Sequence, residues 1–231
     1  DLESFVKPPG EAIAALLGGS HADPFSLLGV HEGPDGAFAR AVLPGATSAE
    51  AFDLAGKRLG KLKCADSRGL FEGKVKIRKR QPLRYEAQYA DGGTYATIDP
   101  YGFGPVLGPM DDFLIAEGTH QRPYECLGAH PRTLDGVAGV SFAVWAPSAV
   151  RVSVVGGFNQ WDGRRLPMRL RRECGIWETF VPGLAAGELY KFEIVTTSGE
   201  RLLKSDPYAF RCQHRPDTAS VVQALPPARP M

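Results

Sequence analysis

Apolar side chains occupy every second position of Val140-Ser141-Phe142-Ala143-Val144 and, after Pro147, of Val150-Arg151-Val152-Ser153-Val154. A period of two residues is the pattern of a β-strand with one buried face. Two more runs of this kind, Ile176 to Val181 and Tyr190 to Ile194, follow with glycine or proline between them. Short strands at this spacing predict an antiparallel β-sandwich of immunoglobulin-like type.

The chain carries this pattern twice. Asp23-Pro24-Phe25-Ser26-Leu27-Leu28-Gly29-Val30-His31 recurs, 99 residues later, as Arg122-Pro123-Tyr124-Glu125-Cys126-Leu127-Gly128-Ala129-His130. Two later pairs match at offsets of 106 and 107: Gly69-Leu70-Phe71-Glu72 with Gly175-Ile176-Trp177-Glu178, and Asp99-Pro100-Tyr101-Gly102-Phe103 with Asp206-Pro207-Tyr208-Ala209-Phe210. Matches in the same order with slowly growing offsets predict one module used twice.

The predicted fold class is therefore all-β, with two tandem immunoglobulin-like antiparallel β-sandwich modules and short N-terminal helical turns. Each copy opens with a proline suited to the first position of a helical turn and a glycine that can end it. Apolar residues at helical spacing upstream of the first copy predict one short helix. The predicted segments are an N-terminal helical segment at 1–20, a first sandwich at 21–105, a linker at 106–120, a second sandwich at 121–225 and a Pro-rich tail at 226–231.

The composition narrows the function classes. The 231 residues include 27 Lys and Arg against 26 Asp and Glu, so a field that would attract nucleic acid or a membrane surface is not expected. No run approaches the roughly 20 apolar residues that span a bilayer, and no signal-peptide pattern is visible. We therefore predict a cytoplasmic protein. The four scattered cysteines predict reduced thiols, and no motif predicts a metal site or a cofactor.

Several motifs of the second copy resemble a known family: Phe142-Ala143-Val144-Trp145-Ala146-Pro147, Gly156-Gly157-Phe158-Asn159-Gln160-Trp161-Asp162-Gly163 and Lys204-Ser205-Asp206-Pro207-Tyr208. They are similar to the family 48 starch- and glycogen-binding module at the front of bacterial glycogen branching enzymes. The first copy resembles the additional N-terminal module of those enzymes, and the likeness runs from about Gly10 to Val222. The resemblance implies an α-glucan partner such as glycogen or a malto-oligosaccharide.

Trp161 is the leading candidate for contact with such a partner. A glucose ring has an apolar face that a flat aromatic side chain can cover. The Asp162-Gly163 pair that follows Trp161 predicts a turn, which places the indole at a loop tip. The alternative is a ring that folds back over the sandwich.

Asn159 and Lys191 are the candidates for bonding sugar hydroxyls. Asn159 lies beside Trp161 in the sequence. Lys191 stands between two residues of an alternating run and so projects outward, and in similar modules a lysine here contacts the sugar. The alternative for Lys191 is an ordinary solvated side chain. Some family members place a second aromatic after the turn that ends at Gly199, where this chain has Glu200-Arg201-Leu202.

The duplication provides an internal control for the three tryptophans. Trp177 corresponds to Phe71 of the first copy, which favours a core role. Trp145 lies in an alternating run, which favours packing over ligand contact. Trp161 has no aromatic counterpart, because the matching stretch is Ala55-Gly56-Lys57-Arg58-Leu59-Gly60.

The resemblance also bears on catalysis. Branching enzymes cut an α-1,4 link and rejoin the released segment to a 6-hydroxyl, which needs two carboxyl groups carried in the family by a (β/α)₈ barrel of about 250 residues. Asp111-Asp112 lies in the predicted linker, and Asp206 recurs as Asp99 at a strand end, so neither is assigned to catalysis.

We interpret the chain as the α-glucan-binding N-terminal region of a branching enzyme, which influences the transferred chain length and lacks its C-terminal catalytic domain. The alternative is a free-standing glycogen-binding scaffold or sensor.

Overall fold

The computed structural model describes residues 10–33 and 35–225, and the Pro-rich tail lies outside this range. The chain divides into two compact units, residues 1–104 and 105–231. Both consist mainly of antiparallel strands, which confirms the all-β prediction. None of the described helices has the length and apolar character needed to cross a membrane.

The first unit is one continuous sheet of seven strands in the order β1-β2-β5-β4-β3-β6-β7. Strand β4 pairs with both β3 and β5, so the hydrogen-bonded ladder runs through all seven strands. The core is built from small and branched side chains with Phe71 and Tyr85 as its large members. The strands are β1 Gly29–Gly33, β2 Gly36–Val42, β3 Ala46–Phe52, β4 Arg58–Asp66, β5 Leu70–Val75, β6 Arg84–Tyr89 and β7 Thr94–Ile98.

The second unit has two separate sheets, as the sandwich prediction requires. One has the order β11-β12-β9-β8, and the other has the order β10-β13-β16-β15 with β14 paired to β13. Phe142 of β9 and Tyr190 of β13 pack edge to face with ring centroids 5.0 Å apart. The strands are β8 Gly128–Leu134, β9 Val137–Trp145, β10 Arg151–Gly156, β11 Arg169–Arg171, β12 Ile176–Pro182, β13 Leu189–Val195, β14 Arg201–Lys204, β15 Arg211–Cys212 and β16 Ser220–Val221.

Both units begin with the same succession of elements. Helix α1, Gly10–Gly18, is followed by a 3₁₀ turn at Pro24–Ser26. Helix α2, Pro109–Ala116, is followed by a 3₁₀ turn at Pro123–Glu125. The predicted linker at 106–120 therefore contains a helix that is equivalent to α1 and lies in the second compact unit. Its Gly- and Pro-rich composition hid this, since Pro109 stands at the first turn of α2, where proline is tolerated.

A buried tyrosine–aspartate pair also occurs in each unit. Asp99 accepts hydrogen bonds from Tyr101 N over 3.0 Å and from the Tyr85 hydroxyl over 3.1 Å. Asp206 accepts from Tyr208 N over 2.8 Å and from the Tyr190 hydroxyl over 2.5 Å. Both carboxyl groups thus hold the turn that follows a strand, as their strand-end positions predict.

Candidate functional site

The loop after β10 presents Trp161 to solvent. It starts with a 3₁₀ turn at Gly157–Asn159 and then places Gln160 and Trp161 in the left-handed region, with φ of 59° and 58°. Two successive non-glycine residues in this region are uncommon, because the β-carbon crowds the following carbonyl. Trp161 N donates to Gly156 O over 2.9 Å. The indole is 42% exposed, so it lies at the predicted loop tip and is not folded into the sandwich.

Asn159 lies beneath this loop with only 2% of its surface exposed. Its Oδ1 accepts from Gly156 N over 3.0 Å, and its Nδ2 donates to Val154 O over 2.9 Å. This corrects the prediction that Asn159 bonds sugar hydroxyls, because both polar atoms of its amide are buried and paired with backbone. Asn159 instead fixes the shape of the loop that carries Trp161.

Lys191 lies on the outward face of β13, as its place between the buried Tyr190 and Phe192 requires. It pairs with Val155 in the ladder between β10 and β13, one position from the end where the Trp161 loop begins. Its Nζ donates to the Thr218 hydroxyl over 2.7 Å at an exposed position. An exposed ammonium with one neutral partner keeps donors available to a ligand.

The rest of the loop is anchored to the same outward face. An ion pair between Arg151 and Glu193 lies across β10 and β13, and Gly163 packs so closely on it that a β-carbon would meet the Glu193 carboxylate. Beside it, Asp162 accepts two hydrogen bonds from the Arg164 side chain. Burial pushes the pKa of Asp162 upward, but the bonds from Arg164 outweigh it and the pKa lies below its ordinary value. The loop is therefore held at both ends of its exposed tip.

The other two tryptophans have different environments. Trp177 is fully buried, and its indole N–H donates to Ala146 O over 3.0 Å, which confirms the predicted core role. Trp145 is 60% exposed, so the prediction that it packs inside the module is wrong. It is the last residue of β9 and pairs with Ile176, on the outer face of the four-stranded sheet. The alternating pattern predicts which face of β9 carries Trp145. It does not show that the residues packed on this face leave Trp145 uncovered.

The structure also brings together Asp111, His120 and Cys126, which sequence spacing did not reveal. Their ligand atoms lie within 4.8 Å of one another. His120 Nε2 is 3.1 Å from Asp111 Oδ1 and 3.4 Å from Cys126 Sγ. Burial, with the neighbouring Asp111, raises the pKa of Cys126 to about 12. These residue types can bind zinc.

The hydrogen bond at the second ring nitrogen of His120, Nδ1, indicates that these three residues form a hydrogen-bonded cluster and not a metal site. Nδ1 accepts from Arg122 N over 3.1 Å, so a neutral ring carries its proton on Nε2, the atom that would face a metal. A metal-bound imidazole needs the opposite arrangement, with Nδ1 as the donor. The first unit contains the same turn, in which His21 Nδ1 accepts from Asp23 N over 3.1 Å. His120 therefore acts as a turn residue.

The sequence of the second unit matches a known family. Residues 126–209 match the family described as carbohydrate-binding module 48 (isoamylase N-terminal domain). This range includes the Trp161 loop and Lys191. The second unit is therefore similar to carbohydrate-binding modules of this class.

Residues 9–101 match the N-terminal domain of alpha-1,4-glucan branching enzyme GlgB. The chain is 61% identical over 217 residues to the 1,4-alpha-glucan branching enzyme GlgB of Novosphingobium aromaticivorans, and 56% identical over 221 residues to that of Mesorhizobium japonicum. These alignments cover 94% and 95% of this chain. The chain is similar to the N-terminal regions of these enzymes, and it spans about 30% of the length of these relatives.

Among solved structures, a pullulanase from Anoxybacillus sp. LM18-11 matches over 80% of this chain and 26% of its own, with 19% identity and a TM-score of 0.34.

Proposed function

We propose that the second unit binds α-glucan chains, with Trp161 stacking on a glucose ring and Lys191 donating to its hydroxyls. The observation that carries this proposal is the exposed indole, held in a strained left-handed turn by a buried amide. Backbone strain of this kind persists where the surroundings enforce it and often accompanies a binding function. The first unit folds with no aromatic at the matching position.

The proposed site has one stacking aromatic side chain, and this determines the affinity that we expect for a glucan. Stacking on an aromatic side chain contributes about 1–3 kcal/mol, by analogy with bases. The contribution of Lys191 is smaller, because its ammonium is solvated and exchanges water for sugar hydroxyls. We therefore expect a Kd on the order of 0.1–1 mM for maltoheptaose.

In the whole protein, this site holds the glucan for a branching reaction in the cytoplasm. The enzyme transfers an α-1,4-linked segment to a 6-hydroxyl, and the module influences the length of the segment transferred. The names of the GlgB relatives and the match to two of their domains support this part of the proposal.

Electrophoresis in native gels that contain glycogen tests the site. The unsubstituted chain is expected to be retarded, and Trp161→Ala should abolish retardation. Trp145→Ala is the matched control, since it removes an even more exposed indole from the same unit and should leave retardation intact. Loss of retardation in the control, or none in Trp161→Ala, would place the binding elsewhere.

The role of Lys191 has its own matched pair of variants. Lys191→Met removes the ammonium, and we expect it to weaken binding by about 2–10-fold, the range for one ordinary hydrogen bond with a net contribution of about 0.5–1.5 kcal/mol. Thr218→Val removes the hydroxyl that Lys191 bonds but keeps the ammonium, so binding should not weaken. If both variants weaken binding equally, the pair Lys191–Thr218 shapes the surface and the ammonium does not contact the sugar.

A further inference from the structure

A second feature of this unit lies outside the proposed glucan site. Trp145 borders an open cavity of about 900 Å³ on the outer face of the four-stranded sheet. Helix α2 closes one side through Ile115, and Leu127, Leu170 and Tyr208 form other walls. The cavity is the uncovered end of a small apolar cluster that includes Leu127 and Ile176.

The first unit fills the equivalent place with its own side chains. Strand register equates Val42 with Trp145, since Val42 pairs with Leu70 as Trp145 pairs with Ile176. Val42 is half-buried, and like Leu17 and Phe25 it packs against a cluster that contains Leu70. The Phe25 ring packs on Tyr101 with centroids 4.8 Å apart.

The second unit has a less complete cover at these positions. The residue that corresponds to Leu17 is Ala116, and the one that corresponds to Phe25 is Tyr124, which is exposed. Trp145 is thus a larger apolar side chain than Val42 under a smaller cover. The fold itself does not require it, because the first unit is built without it.

The walls of the cavity indicate what it would accept. Most are aliphatic, proline or aromatic side chains, and the charged Arg172 and Glu173 are the exceptions. His120 and Cys174 also border it, but they contact Asp111 and Asp112. A sugar carries a hydroxyl on most of its carbons and needs more polar partners than these walls offer. An apolar segment of polypeptide fits better, since a leucine and a phenylalanine pack against the equivalent cluster in the first unit.

We propose that the Trp145 cavity is the docking surface for the polypeptide region that the GlgB relatives carry beyond the part that this chain matches. About 70% of the length of those relatives lies outside the match, because the chain spans 30% of it. An exposed tryptophan at the border of an apolar concavity is typical of an interface anchor. The inference does not rest on glucan binding at Trp161.

A chimera tests the proposal. In the Novosphingobium relative, the matching 217 residues are replaced by this chain, and the oxidation of individual tryptophans by hydroxyl radicals is measured by mass spectrometry. Compared with the 231-residue chain alone, oxidation of Trp145 should fall at least about fivefold, because an interface core excludes water. Trp161 is the internal control and should change less than about twofold.

Thermal stability provides a second test of the same proposal. Trp145→Ala should leave the melting temperature of the chain alone nearly unchanged and lower that of the chimera. Equal oxidation of Trp145 in the chimera and in the chain, or equal melting shifts, would overturn the proposal. So would protection of Trp145 in the chain alone by maltoheptaose, or by raising the chain's own concentration, since the occupant would then be a sugar or a second copy.

Discussion

At the scale of single residues, the second unit uses tryptophan in three different ways. Trp177 is fully buried, Trp161 stands on a strained loop, and Trp145 borders an open cavity. Area buried in the core converts directly into stability, whereas an exposed ring contributes little until a ligand or partner covers it. The same substitution should therefore have opposite consequences at different positions.

Trp177→Ala and Trp161→Ala test this contrast. Trp177→Ala should lower the free energy of unfolding by about 3–5 kcal/mol, because it leaves a cavity and an unpaired Ala146 carbonyl. Trp161→Ala should change it by less than about 1 kcal/mol, as expected for an exposed side chain. Urea unfolding of both variants measures the difference. A large destabilisation by Trp161→Ala would identify Trp161 as a core residue.

Asp99 predicts a pH dependence of the first unit. Burial raises its pKa to about 7, against about 3.9 in an unfolded chain. Between these values the folded state binds more protons than the unfolded state, so stability falls as pH rises from about 4 to about 7 and then levels off. Asp99→Asn keeps an oxygen that accepts from Tyr101 N, but its side chain cannot ionise. In this variant the fall in the free energy of unfolding should therefore be smaller by about 1.4 kcal/mol per pH unit over this range. Urea midpoints at several pH values measure the slope, and identical slopes for both proteins would contradict the assignment.

At the scale of elements, the loop from Gly157 to Arg165 is the part whose shape matters most. Asn159 fixes its start by accepting from Gly156 N and donating to Val154 O, and Gly163 packs its end against the Arg151–Glu193 pair. Between them the backbone enters the left-handed region at Gln160 and Trp161. We infer that the indole is oriented before the glucan arrives, which reduces the entropy lost on binding.

Gln160→Gly tests this orientation. Glycine adopts the left-handed conformation freely but also many others, so the loop should lose its fixed shape. Affinity for maltoheptaose should fall about 2–10-fold, which corresponds to the cost of ordering a mobile loop. Gln160→Asn is the control, because asparagine tolerates the left-handed region and should retain affinity. Unchanged affinity in the glycine variant would mean that the loop shape is set elsewhere.

Sequence patterns predicted the strands around this loop and its exposed tip, but not what the loop and its surroundings do. Alternation gives the faces of β9 and β13, and Asp162-Gly163 indicates the turn. The role of Asn159 depends on whether its amide points inward, which spacing does not encode. Exposure of Trp145 depends on how far helix α2 covers the sheet, and α2 itself was hidden in a segment read as a linker.

At the scale of the whole molecule, the duplication makes each unit a control for the other. The buried aspartate pairs, the histidine turns and the opening helices recur in both, so they belong to the shared fold. The Trp161 loop and the Trp145 cavity belong to the second unit, and both involve a large side chain that the first unit lacks at that position. Function is expected where the copies differ.

The described residues of both units form mainly antiparallel β structure, and a (β/α)₈ barrel alone takes about 250 residues. We therefore expect the purified 231-residue chain to form no α-1,6 links in amylose, as measured by debranching and chain-length analysis. Branching activity that co-purifies with the chain and is absent from a mock preparation would contradict this expectation.

The most direct test of the central claim is residue-resolved NMR of the chain titrated with maltoheptaose. We predict shift changes at the Trp161 indole, along residues 156–165 and at Lys191, with one binding site and a Kd on the order of 0.1–1 mM. Signals of the first unit and of Trp145 should not move. Changes centred on the first unit or on Trp145, or no changes at tenfold higher sugar concentration, would contradict the account.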